Sequence, residues 1–287
     1  MTGSGSAIIV ANGAKLTLKD SSPETTHKFR KDGHLLTLDE NGSETVKGGV
    51  ITGGTGTLDY KFTYGGCVNV HGVFAMEGGT IVGGQATYGG GVYSNGQFIM
   101  NGGTIKGCSS SASGQYAAIY IGGREMLAND GIIEGTGALE GTIKTDTGKG
   151  GTTFSGHIKF YSPCIIEGGN FTGYAENWSG TIKGGTFSGT VSGGRIQGGN
   201  FVVKFDLNGG TPAEGENYAD QTIAFQNQVT QLANPSKIGY TFDGWYIGDS
   251  DNKWDFEQNT VSAPMTLKAK WTDAEEPTGK IDIGTNK

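Results

Sequence analysis

The feature that most constrains this chain is an ungapped internal repeat. Residues 64–84, YGGCVNVHGVFAMEGGTIVGG, align with residues 88–108, YGGGVYSNGQFIMNGGTIKGC, at an offset of 24, and 12 of the 21 aligned positions are identical. A looser third copy runs from Tyr116 through Ile119-Tyr120-Ile121-Gly122-Gly123 to Gly131-Ile132-Ile133-Glu134-Gly135. The unit then shortens. Gly168-Gly169-Asn170-Phe171 recurs as Gly184-Gly185-Thr186-Phe187 and as Gly198-Gly199-Asn200-Phe201, with the phenylalanines 16 and then 14 residues apart. A unit this short cannot bury an apolar face alone, so copies must stack and share an interior.

Within each unit the apolar residues alternate over short stretches. Phe74 and Met76 share a face, as do Phe98 and Met100, with Gly-Gly or Asn-Gly breaks between stretches; this is the local pattern of short strands and frequent turns. Glycine fits such corners because it reaches positive φ without steric cost, and the chain holds 54 glycines against 6 prolines in 287 residues. His71-Gly72 stands where Asn95-Gly96 does, and both His and Asn tolerate the left-handed region, which predicts one shared corner. No stretch of helix length carries a 3.6 period.

These observations predict a mainly β fold, a right-handed parallel β-helix (a solenoid) over residues 1–202. Its interior columns should be Val68/Val92, Phe74/Phe98, Met76/Met100 and Ile81/Ile105, then Phe171/Phe187/Phe201. If rungs average roughly 20 residues, residues 7–202 make about ten, or roughly 45–50 Å of stack. The polar residues after the repeated isoleucine, Lys106, Glu134, Glu167, Lys183 and Gln197, read as one solvent-facing ladder. Residues 8–18 read as two strands around Asn12-Gly13, residues 19–47 as an insertion or lateral hairpin, and Val50-Ile51-Thr52 as the return to the rung pattern. Met1 to Ser6 is not a signal peptide and reads as a truncated or engineered boundary.

Near residue 203 aromatics become dense. Residues 203–271 resemble the Listeria–Bacteroides repeat, also known from the B repeats of internalins. The likeness is carried by Val203-Lys204-Phe205-Asp206-Leu207-Asn208-Gly209-Gly210, Pro235, Gly239-Tyr240-Thr241-Phe242-Asp243-Gly244-Trp245-Tyr246, Trp254-Asp255-Phe256 and Thr266-Leu267-Lys268-Ala269-Lys270-Trp271. It implies a small β-grasp-like domain of extracellular bacterial proteins. Its tryptophans suit a module small enough to need them, and its place suggests a cap and spacer. Residues 272–287 are polar and read as a linker or tail. Residues 88–107 are similar to the glycine-rich rungs of surface proteins from gut-dwelling Gram-positive bacteria, which implies a secreted, cell-surface location.

Several chemistries have no support in the sequence. The net charge of −7 without a basic stripe argues against nucleic acid. No apolar run is long enough for direct membrane insertion. Cys67, Cys108 and Cys164 form neither a CxxC nor an even framework. His27, His34, His71 and His157 lack metal or triad spacing, and Asp249-Ser250-Asp251-Asn252 lacks the glycine and terminal glutamate of a calcium loop. No metal or cofactor site is expected.

Two candidate sites remain. Tyr64, Tyr88 and Tyr116 open successive units, and Tyr93 and Tyr120 are outward neighbours. As exposed rings they would contact a ligand, with a host glycan or surface protein as partner; the plainer reading is that they cover the stack and pack on each other. Parallel β-helices also host polysaccharide lyases and glycosidases, which need paired carboxylates. Arg124, Glu125, Asp130, Glu134, Glu167 and Glu176 are the candidates, with Glu134 and Glu167 expected on one side. The leading expectation is an adhesin-like surface protein without catalysis, ahead of an enzyme or a purely structural stalk.

Overall fold

A computed structural model describes residues 5–112 and 116–274. Residues 1–4, and all but the first three positions of the tail read at 272–287, lie outside the described residues. All regular structure described is β. The chain divides into two compact units, one of residues 1–202 with 224–226 and 262–264, the other of 203–223, 227–261 and 265 onward.

In the first unit each rung gives one strand to an eight-stranded parallel sheet. Its order is Ile8–Val10, Val68–Val70, Val92–Ser94, Ile119–Ile121, Gly137–Leu139, His157–Phe160, Tyr174–Asn177 and Val191–Ser192. There are thus eight rungs rather than about ten. The difference is chain spent outside the stack, on an antiparallel sheet spanning 26–47 and a hairpin spanning 57–64.

A second sheet carries two further parallel ranks. The near rank, met first along each rung, places Leu16, Phe74, Phe98, Met126, Ile143, Ile166, Ile182 and Ile196 opposite one another in turn. The far rank does the same with Ile51, Ile81, Ile105, Ile133, Phe154, Phe171, Phe187 and Phe201. The expected pairs are present: Val68 faces Val92, Phe74 faces Phe98, Met76 faces Met100 and Ile81 faces Ile105, all eight fully buried. Phe171, Phe187 and Phe201 form the other expected column, extended by Phe154.

The two ranks exchange bulk. Rungs holding Phe74 or Phe98 in the near rank hold Ile81 or Ile105 in the far rank; from Phe154 onward the isoleucine is near and the ring is far. Layers with one ring and one isoleucine keep a similar volume whichever rank holds the ring, the condition for close packing without strain; the Leu16/Ile51 and Met126/Ile133 layers hold no ring. Each such buried side chain contributes roughly 1.5–3 kcal/mol.

The Gly-Gly of the repeat is the corner between ranks. Gly79, Gly103, Gly131, Gly169, Gly185 and Gly199 all take φ between +79° and +99°. At Gly103 space is also lacking, since an added Cβ would sit 2.6 Å from the Gly79 carbonyl oxygen and from Met76 Cε. The His71-Gly72 and Asn95-Gly96 corner differs from expectation, because neither His71 nor Asn95 has positive φ. Glycine is required there by close approach: a Cβ on Gly96 would fall 2.0 Å from the Gly72 oxygen.

The single polar ladder is also corrected. Lys106 and Glu134 follow the paired Ile105 and Ile133 of the far rank, whereas Glu167, Lys183 and Gln197 follow Ile166, Ile182 and Ile196 of the near rank. Glu134 and Glu167 therefore stand on different faces.

The inserted residues form a three-stranded antiparallel sheet of Leu35–Leu38, Thr26–Asp32 and Glu44–Lys47. Phe29, Leu36 and Val46 form its apolar side and pack on Val82 of the stack.

In the second unit Tyr240–Ile247 runs antiparallel to Met265–Asp273, with a bulge at Asp243, between the paired Phe242 and Gly244. Residues 203–206 pair in parallel with 265–268. Trp245, Trp254, Val261, Leu267 and Ala269 are its buried core.

Candidate aromatic face

Alternation in the eight-stranded sheet sends Val92 and Ser94, and likewise Ile119 and Ile121, to the interior, and Tyr93 and Tyr120 to the opposite face, where Tyr64 and Tyr120 cover Tyr93 to 8% exposure. Tyr64, which ends the hairpin strand, and Tyr88 and Tyr116 stand just before three successive strands of this sheet. The five predicted tyrosines come together as two stacked files. Tyr64 stacks on Tyr88 at 5.4 Å and Tyr88 on Tyr116 at 5.3 Å, while Tyr93 stacks on Tyr120 at 5.6 Å. Cross-contacts at 4.7 Å (Tyr64 to Tyr93) and 5.1 Å (Tyr88 to Tyr120) lock the files together.

This geometry decides what the rings can offer. Faces inside a file are spent on neighbouring rings, so the cluster presents edges and hydroxyls. Tyr120 donates its hydroxyl proton to Glu140, and the Tyr116 hydroxyl meets that of Tyr161 at 3.4 Å. Burial pushes the Tyr93 phenol up to about 12, and burial followed by the Glu140 contact raises Tyr120 further. Tyr64 and Tyr161 are raised too, again mainly by burial. These four phenols, Tyr64, Tyr93, Tyr120 and Tyr161, are held neutral and act as hydrogen-bonding groups.

The face continues into residues that the sequence did not single out as aromatic candidates. Tyr161 lies 6.1 Å from Trp178, whose indole is 62% exposed. Lys159 stands 5.7 Å over that indole and 3.7 Å from Glu176. His157 bonds Glu176 at 2.6 Å and stacks on Tyr174 at 4.6 Å. Burial would lift the Glu176 carboxyl, but hydrogen bonds from His157 and Trp178 and the Lys159 charge hold it below the usual range. A signal existed: Tyr161 and Trp178 each sit four residues after the paired His157 and Tyr174.

The candidate carboxylates scatter. Glu125 is bound to Lys144 at 2.8 Å, Asp130 accepts from the Gly131 amide, and Glu176 belongs to the His157 cluster. Arg124 accepts through its carbonyl from Thr142 and lines a shallow hollow with Glu125. Asp249 and Asp251 are engaged by Lys268 and Lys270, both at 2.7 Å. Among the described residues no three or more His, Cys, Asp or Glu side chains gather as a metal-holding group. The three cysteines are buried free thiols, and burial pushes Cys164 well up.

Residues 201–270 match the Listeria-Bacteroides repeat domain. A "Putative membrane protein" of Evansella cellulosilytica is 34% identical over 73 residues, which are 25% of this chain and 10% of that protein. A "Putative Gly-rich membrane protein" of the same organism is 35% identical over 72 residues, 25% of this chain and 8% of that protein. The chain thus spans a tenth or less of the relatives it matches. Among the described residues no helix is long and apolar enough to cross a membrane.

Proposed function

We propose that this chain is a non-catalytic, adhesin-like binding and display segment of a bacterial surface protein, held outside the cell. In this reading residues 1–202 close into a right-handed parallel β-helix, residues 203–271 are an extracellular β-grasp-like module of the internalin B-repeat kind, and 272–287 are a linker. The partner is a host glycan or surface protein. The observation that carries the reading is the aromatic face, where two tyrosine files run on to an exposed Trp178 beside Lys159 and Glu176. An exposed indole flanked by charge is the kind of anchor that binding surfaces use. The repeat family and the relatives' membrane-protein names support a surface setting.

A glycan and polysaccharide array scored for both retention and cleavage tests this. Retention without product, weakened by Trp178→Ala, is the expected result. Product release abolished by Glu134→Gln or Glu167→Gln would replace it with a polysaccharide-degrading enzyme. Neither retention nor product would leave a purely structural stalk.

A further inference from the structure

A second concave site adjoins the far end of the aromatic face at His157. The lateral sheet is fastened over two rung corners, where the Leu36 amide donates to the Gly107 oxygen at 2.8 Å. The corners must be glycine to admit it: a Cβ on Gly83 would fall 2.1 Å from the Leu36 oxygen, and one on Gly107 would fall 2.5 Å from Leu36 Cγ. Beyond Leu36 the tip of the sheet overhangs the following corners. There Gly135, at φ +116°, leaves the floor open, with only Ala118 within reach of an added Cβ, at 3.5 Å. The result is a cleft of about 600 Å³ with one wall from the insertion and a floor from the stack.

Five charged side chains line it, Lys31, Asp32 and Glu44 from the insertion and Lys106 and Glu134 from the rungs. Among the described residues none of the five takes part in an ion pair, although nine such pairs occur elsewhere. Ammonium and carboxylate groups of both signs thus face one space without neutralising each other. A ligand of single net charge would gain from one sign and lose to the other. A polyhydroxyl ligand escapes this, because each hydroxyl donates to a carboxylate or accepts from an ammonium.

We propose that this cleft binds a short uncharged oligosaccharide of about two or three sugar units, a size that suits a pocket of this class. The insertion supplies three of the five charged groups and the rungs supply two. The cleft meets the aromatic face at one residue, His157, which lines the cleft and bonds Glu176, whereas Trp178 does not line it.

The test is calorimetric titration of the whole chain with maltotriose, cellotriose and triacetylchitotriose. Saturable binding of at least one is expected, weakened roughly tenfold by Glu134→Gln and by Lys106→Gln, as for loss of one charge-assisted hydrogen bond. Trp178→Ala should leave that binding unchanged. Asp32→Asn, on the overhanging tip, gives the same answer if either rung variant misfolds. No saturable binding of any of the three sugars overturns the proposal. So does binding indifferent to the cleft variants, or binding lost with Trp178→Ala alone.

Discussion

Ile133 lies opposite Phe154 in the parallel ladder, and at that step the far rank gains the bulky ring that the near rank gave up one rung earlier, where Phe98 faces Met126. The layer, rather than the column, is therefore the unit of packing. Phe171→Ala should cost about 3–5 kcal/mol by leaving a cavity. Phe171→Ile combined with Ile166→Phe keeps the layer volume, so in urea unfolding the pair should cost less than the sum of its single changes. Strict additivity would show that the two positions do not share a volume constraint.

The corner glycines separate two kinds of cost. Gly123 has φ +71° and open space around its Cβ position, whereas Gly103 has φ +85° and two atoms at 2.6 Å. Gly123→Ala should lower stability by about 1 kcal/mol, the backbone cost alone. Gly103→Ala should lower it by about 2–4 kcal/mol, because overpacking is added. Equal losses in thermal unfolding would mean that conformation, not space, selects glycine at Gly103.

The tyrosine files predict a late alkaline titration. Tyr93 is pushed up to about 12 by burial, and Tyr64, Tyr120 and Tyr161 are raised as well. A raised folded value means that the native state holds the proton more tightly than the unfolded chain. This stabilisation is complete below the ordinary phenol value of 10.0 and is lost as pH rises through the folded value. Absorbance at the phenolate band should show these rings ionising only with unfolding; four normal titrations would contradict the packing.

Glu176 behaves in the opposite sense. Its carboxyl is held below the usual range, so its contribution is present above the unfolded value and disappears as pH falls through the folded one. Glu176→Gln should therefore lower the melting temperature at neutral pH, with the gap to the parent closing in acid. A gap that persists at low pH would show that the loss comes from packing alone.

The sequence was most readable where the repeat is free of gaps. Phe74 and Phe98 could be matched by counting, and the Gly-Gly before Phe171, Phe187 and Phe201 marked the same corner three times. Counting misled where one tripeptide pattern serves two places. An isoleucine followed by a polar residue and glycine ends both ranks of a rung, so Glu134 and Glu167 looked equivalent although they flank different ranks. Tyr64, Tyr88 and Tyr116 were visible because each opens a unit, and Tyr93 and Tyr120 because they alternate with buried neighbours. Trp178 was not, because its rung is short and its ring packs beside Lys159 rather than in a file of like residues. The cleft was invisible for another reason: it exists only because residues 26–47 fold back over corners that lie far along the chain.

The ungapped register between residues 73–76 and 97–100 carries a consequence for reach. Each strand of these parallel sheets pairs with the strands on either side of it, so an in-frame duplicate of residues 85–108 would meet edges already suited to it. It would lengthen the molecule by about 4.8 Å. The length of this parallel stack thereby becomes a matter of copy number, adjustable without redesigning the interior.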